Sequence, residues 1–181
     1  MSEYAGRGLY FSEFTVGQEI QSPTRTITEA DVVQFAGLSG DYNPLHTDAE
    51  FAKSTPYGQR IAHGLLGLSV ASGLAARAGF IEGTVEAFLS LDWKFKAPIL
   101  IGDSIHLSVR VKKKRPMPSM GGGMVVFALE VLNQREEVVQ AGDWTLLVRD
   151  AENVIRYFQA RSAVGRNGIP TYAPDGAVQP L

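Results

Sequence analysis

The sequence contains no cysteine, so disulfide staples, zinc–thiolate clusters and thiol nucleophiles are all excluded. It has almost no excess charge: 17 Lys and Arg against 19 Asp and Glu give a net charge of −2. Such a balance offers no electrostatic drive toward nucleic acid or an anionic membrane. It has no long hydrophobic run. The most apolar stretch, Ile61 to Ala76, is broken by His63 and by several glycines and serines. It also falls short of the roughly 20 residues needed to span a bilayer. The start, Met1-Ser2-Glu3-Tyr4, lacks a basic segment followed by an apolar one, so no secretory signal is expected and the cytoplasm is the expected compartment. Histidine occurs only at His46, His63 and His106, which leaves few candidates for proton transfer near neutral pH.

The 181 residues are 45% hydrophobic and 20% charged, an ordinary globular balance with enough chain for one core. Thr28 with Asp31 has capping-box spacing and predicts a helix start. Val32, Val33, Phe35, Ala36 and Leu38 supply its apolar stripe, and Gly40 its end. Thr47 and Glu50 repeat that spacing and predict a second short helix through about Lys53, before a loop at Pro56-Tyr57-Gly58. From Ile61 to Gly79 the pattern is apolar on nearly every side with small residues interleaved. That predicts a buried helix that a sheet can approach closely.

Four strands are expected, at 85–96, 103–113, 124–134 and 138–149. Alternation is clear in Ile105, Leu107, Val109, Val111 and in Trp144, Leu146, Val148. The turn-rich breaks between them suit antiparallel pairing, and Pro116 to Gly123 reads as a mobile loop. The expected design is α+β: one domain over 1–150 and a partly irregular extension over 151–181, extended over the surface or a partner subunit.

The chemistry concentrates in Gly40-Asp41-Tyr42-Asn43-Pro44-Leu45-His46. Pro44 biases Asn43 away from helical geometry, so the chain bends and Asp41 and His46 can converge on one small volume. The same residue types are also ordinary turn and cap residues. A second segment, Ile61-Ala62-His63-Gly64, opens the buried helix, where free amides point outward. Gly64, without a side chain, offers its amide to a thioester oxygen or is small only for packing. Ser72, about two turns along, is a pocket-facing hydroxyl or a packing residue.

The uninterrupted Asp41-Tyr-Asn43-Pro44-Leu-His46 core, with Phe35 to Gly40 before it, Ala52 after it and Ile61-Ala-His63-Gly64 beyond, resembles the MaoC-like dehydratases, which include the (R)-specific enoyl-CoA hydratases. The stretch from Leu91 to Asp103 is similar to that family's strand-turn-strand segment, and the resemblance covers roughly residues 12 to 149. It implies a hot-dog fold, an antiparallel sheet wrapped round a long central helix, pairing into a homodimer or a dimer-based oligomer. It implies a trans-2-enoyl-CoA as substrate and an (R)-3-hydroxyacyl-CoA as product. No separate cofactor or metal is implied, since coenzyme A enters as part of the substrate. Asp41 and His46 match the pair that holds the catalytic water; Asn43, His63, Gly64 and Ser72 form the expected substrate-side set. Asn43 would support the loop, His63 cap or pack beside the pocket, the Gly64 amide bind the thioester oxygen, and Ser72 line the site. Partial burial of Asp41 would let it share the proton work.

Two other fold-mates compete. A hot-dog thioesterase ordinarily carries a carboxylate on the central helix, and Ile61 to Gly79 contains no Asp or Glu. A non-catalytic acyl-thioester binder is disfavoured by the intact Asp41-Asn43-His46 set. His106, between Ile105 and Leu107, reads as solvent-facing. The run Lys112 to Arg115 reads as a solvated hairpin end, with contact to coenzyme A phosphates as the alternative. No cluster shows metal-ligand spacing.

Overall fold

The computed structural model describes residues 8–151, together with the backbone of 171–172 and 178–179. Four helices come first after two short strands, β1 (Glu19–Gln21) and β2 (Arg25–Thr26). Helix α1 spans Glu29–Ser39, α2 Pro44–Thr47, α3 Ala49–Lys53 and α4 Gly64–Arg77. Four long strands follow: β3 (Val85–Phe95), β4 (Ser104–Met117), β5 (Gly122–Leu132) and β6 (Val138–Arg149). Two short strands, β7 (Thr171–Tyr172) and β8 (Val178–Gln179), pair with each other. The rest of the C-terminal extension lies outside the described residues.

All sheet pairings are antiparallel, in the order β1-β4-β5-β6-β3 with β2 also on β4. One row across the sheet runs Ile20, Val109, Leu129, Gly142, Trp93. Alternation sends Ile105, Leu107, Val109 and Val111 inward, all essentially buried, while Ser108, Arg110 and Lys112 line the opposite face. Helix α4 lies on the inner face through Leu66, Gly67, Val70, Ala71, Leu74 and Ala75. Each fully buried Leu or Val contributes about 1.5–3 kcal/mol relative to exposure, and the cluster joins α4, the sheet and the N-terminal turn at Phe11–Glu13 into one core.

Several expectations change. Helix α4 has only 14 residues and is not buried all round: Leu65 is 59% exposed, and Ser69, Ser72 and Gly73 also face out. The sheet covers one side of the helix and leaves the other bare. The expected loop at Pro116 to Gly123 is strand at both its ends, with β4 and β5 paired out to Met117 and Gly122 around a turn at Pro118–Met120. Pro116 is tolerated because β1 pairs β4 only as far as Arg110, so beyond it that side of β4 is an edge. The helix after the Asn-Pro step starts earlier than the Thr47–Glu50 spacing implies. Asn43 caps α2, so His46 sits inside a helix, and Asp48 caps α3.

Candidate active site

Helix α1 starts and stops on side-chain and backbone chemistry. Thr28 and Asp31 form the reciprocal capping box, and Gly40 closes the helix in the left-handed region at φ 76°, donating to Ala36 O at 2.9 Å. The chain then turns at Asp41, whose amide donates to Ser39 Oγ (3.2 Å) and whose Oδ1 accepts from the Asn43 amide (3.2 Å). Asn43 Oδ1 accepts from Leu45 N at 3.1 Å, capping α2 with Pro44 in its first turn.

Helix α2 is stitched to the segment before α4 in both directions. Ile61 N donates to Leu45 O at 3.3 Å, and His46 Nδ1 lies 2.8 Å from Ile61 O. A carbonyl oxygen only accepts, so the hydrogen is on Nδ1 and the neutral ring presents the Nε2 lone pair elsewhere. His63, the N-cap of α4, has its Nε2 2.9 Å from Asp41 O, which fixes the opposite tautomer. Its ring is buried (2% exposed) between Phe35 and His46, with centroids 5.0 and 3.8 Å away. Its Nδ1 has no hydrogen-bond partner among the described residues.

Polar atoms of Asp41, His46 and His63 all lie within 4.8 Å of one another, which brings together the residues the sequence pairs and adds His63. This is a donor set of the kind that binds transition metals. The two imidazole rings lie with centroids 3.8 Å apart and planes inclined by 31°.

Gly64 opens α4 beside this group, and its amide has no partner among the described residues. A Cβ there would lie 2.9 Å from the Phe95 ring, so only glycine admits that contact. A cleft of about 280 Å³ is lined by His46, Gly64, Phe95, Lys96, Ile99 and Gln140, among others. Asp41 is exposed at its side, so the partial burial that would let it share the proton work is not met. Ser72 is not in the cleft: it is exposed along α4 and its hydroxyl donates to Ser69 O at 2.7 Å. Gln140 and Tyr57 line the cleft without having been singled out in the sequence.

A larger depression, about 490 Å³, lies on the outer sheet face among Lys94, Arg110, Lys112, Glu130 and Asp143. It mixes charges of both signs and contains none of the three histidines. His106 lies apart from the cleft, with Nε2 3.8 Å from Glu136. Within the basic run, Lys112 pairs with Asp143. Lys114 donates to Phe11 O (2.8 Å) and Phe14 O (2.6 Å) and sits over the Phe11 ring. Two of the four charges are thus spent on the fold.

Residues 12–127 match the MaoC like domain, and the chain belongs to that MaoC-like dehydratase family. It is 38% identical over 111 residues to a 3-hydroxybutyryl-CoA dehydratase of Methylorubrum extorquens, covering 61% of this chain and 68% of that protein. It is 37% identical over 102 residues to an (R)-specific enoyl-CoA hydratase of Rhodospirillum rubrum, covering 56% and 69%. The match to protein MaoC of Klebsiella aerogenes covers only 31% of that protein's length. Among solved structures, an unliganded R-hydratase of Pseudomonas aeruginosa superimposes with a TM-score of 0.67 at 30% identity, over 79% of this chain and 87% of that one. A Mycobacterium tuberculosis protein with a double hot-dog fold superimposes at 0.70 with 18% identity, over 94% and 48%, a likeness of fold alone. The fold is the expected hot-dog, around a helix shorter than expected. Among the described residues no helix is long and apolar enough to cross a membrane.

Proposed function

We propose that this chain adds water reversibly across the double bond of a trans-2-enoyl thioester, giving the (R)-3-hydroxyacyl thioester, with coenzyme A as the expected carrier. The observation that carries the reading is the meeting of His46, fixed through Nδ1 by Ile61 O, with the free Gly64 amide in one cleft beside Asp41. The names of the relatives support it: a 3-hydroxybutyryl-CoA dehydratase and an (R)-specific enoyl-CoA hydratase.

The enoyl thioester is a conjugated acceptor. When water attacks C3, electron density moves through C2 to the thioester oxygen. A donor aimed at that oxygen therefore stabilises the transition state more than the ground state. Gly64 N–H is such a donor, and the dipole of α4 adds to it. His46 Nε2, with its lone pair free, takes the proton from water. Asp41 orients that water, and the proton is passed on to C2, so one C–O and one C–H bond form while a water O–H bond and the π bond are lost. The proton carried by His46 is the one delivered to C2, which returns the ring to its starting state.

The working unit in this reading is a homodimer. Strand β3 is a sheet edge, paired only with β6 among the described residues. Leu91 (45% exposed) and Phe95 (54%) lie on its helix side, and Phe95 abuts Gly64 at the start of α4. A second copy along this edge would cover both and border the cleft at Phe95.

The test is spectrophotometric. Purified protein should abolish the enoyl-thioester absorbance of crotonyl-CoA without releasing thiol, and Asp41→Ala should not. Release of free coenzyme A would instead establish a thioesterase and overturn the proposal.

A further inference from the structure

Gln140 stands on β6 in register with Gly142, Trp144 and Leu146, the side that faces α4. An amide buried on that side is costly unless both of its ends are paired. Gln140 is 2% exposed, and both ends are paired. Its Nε2 donates to Gly64 O at 3.0 Å, and its Oε1 accepts from Trp93 Nε1 at 3.0 Å. Two missing side chains make room: a Cβ on Gly67 would lie 2.3 Å from Gln140 Nε2, and one on Gly142 would lie 2.7 Å from the Trp93 ring. Residues from β3, β6 and α4 therefore converge on one peptide carbonyl. It belongs to the residue whose amide opens into the cleft.

We infer that Gln140, held by Trp93, is a positioning residue that fixes the Gly64 peptide so that its N–H points at the thioester oxygen. The inference rests on the hydration reading for the identity of that oxygen. Glycine is the residue least restrained by its own sterics, and a first helical residue lacks an intrahelical acceptor for its amide. Gln140 holds the carbonyl on one side of the Gly64 Cα, and Phe95 closes on the Cα itself. The amide on the other side is left little freedom. A donor to a developing oxyanion contributes in proportion to its aim, so a loosened amide lowers kcat more than it raises KM.

The experiment uses the full chain with Gln140→Leu, which keeps the bulk and removes both bonds, and Trp93→Phe, which removes only the N–H that orients Gln140. Hydration of crotonyl-CoA is measured at steady state, thermal melting alongside, and hydrogen–deuterium exchange is followed over residues 61–68 without ligand. Gln140→Leu is expected to lower kcat about tenfold or more with little change in KM. Trp93→Phe should act in the same direction and less. Both should speed exchange in the first turn of α4 while the sheet exchanges as before. An unchanged kcat in Gln140→Leu would overturn the inference, as would wild-type exchange over 61–68 or a rate loss that merely tracks melting. If the wild-type protein hydrates no enoyl thioester, the functional reading fails instead. Exchange over 61–68 then still decides the clamp: faster exchange supports it and unchanged exchange overturns it.

Discussion

His63 stacks on His46, ring centroids 3.8 Å apart, while donating from Nε2 to the carbonyl of Asp41. One buried ring therefore touches both members of the proposed catalytic pair, the carboxylate residue through its backbone and the imidazole through its face. The same residue caps α4 and precedes Gly64. The loop, the proposed base and the proposed oxyanion donor share a single joint, which explains how an exposed Asp41 and a half-buried His46 keep their geometry.

Removing the acid–base groups without changing their size tests the pair directly. Asp41→Asn and His46→Gln are each expected to lower kcat by about 10²–10⁴-fold. Both should leave melting within a few degrees of wild type, because Asp41 is exposed and His46 only half-buried. Initial rates with crotonyl-CoA, with pH–rate profiles and solvent isotope effects, are the measurements. Near-wild-type rates in both variants would remove the pair from the mechanism.

The joint itself is separable into shape and hydrogen bonding. His63→Phe preserves a ring between Phe35 and His46 but loses the bond to Asp41 O, so stability should fall by only about 1 kcal/mol. The rate should fall by at least about tenfold, as Asp41 loses its anchor. His63→Ala also empties the ring's site and should cost about 3 kcal/mol. Urea unfolding and steady-state rates of the two variants distinguish loss of aim from loss of fold.

Much of this was legible in the residues, and the omissions have definite causes. The capping box at Thr28–Asp31, the glycine stop at Gly40 and the last strand follow from local chemistry, which tertiary context does not override. The Asp41–His46 convergence was readable because Asn-Pro forces a turn between them. Gln140 was within reach as well, since the alternation of Trp144, Leu146 and Val148 extends back through Gly142 to it. Gly142 has no side chain to mark the register, so the pattern stopped short. The bare side of α4 could not be read at all: apolar periodicity records what is buried in the end and not which chain buries it. Likewise, Pro116 and three glycines resemble a loop until the pairing of β4 with β5 is known.

Acid stability provides a check on the element that places Asp41. The Asp31 carboxyl has its pKa lowered from the ordinary 3.8. Burial acts to raise it, but hydrogen bonds from the Thr28 amide and hydroxyl and the charge of Arg25 outweigh burial. A carboxylate depressed in the folded state contributes stability above its unfolded value and loses that contribution as pH falls through the folded value. Asp31→Asn should therefore cost about 1 kcal/mol at pH 6. The difference from wild type should shrink as the pH falls below 3.8 and through the lower folded-state value. Urea titrations of both proteins at several pH values measure it; a difference independent of pH would assign the effect to shape alone.

The edge of the sheet makes the last prediction. Leu91 and Phe95 stand exposed on the helix side of β3, and Leu65 is 59% exposed on α4. Apolar surface beside an unpaired strand invites pairing, and a β3–β3 contact between two copies would satisfy both at once. Leu91→Asp would place a carboxylate against its own symmetry region in that contact, where burial of an unpaired charge is prohibitive. Sedimentation velocity should show a dimer for the wild-type protein and a monomer for Leu91→Asp. Because the cleft borders Phe95, the monomer should also lose activity. A wild-type protein that sediments as a monomer while hydrating crotonyl-CoA would show that one chain suffices and that the bare face of α4 serves some other contact.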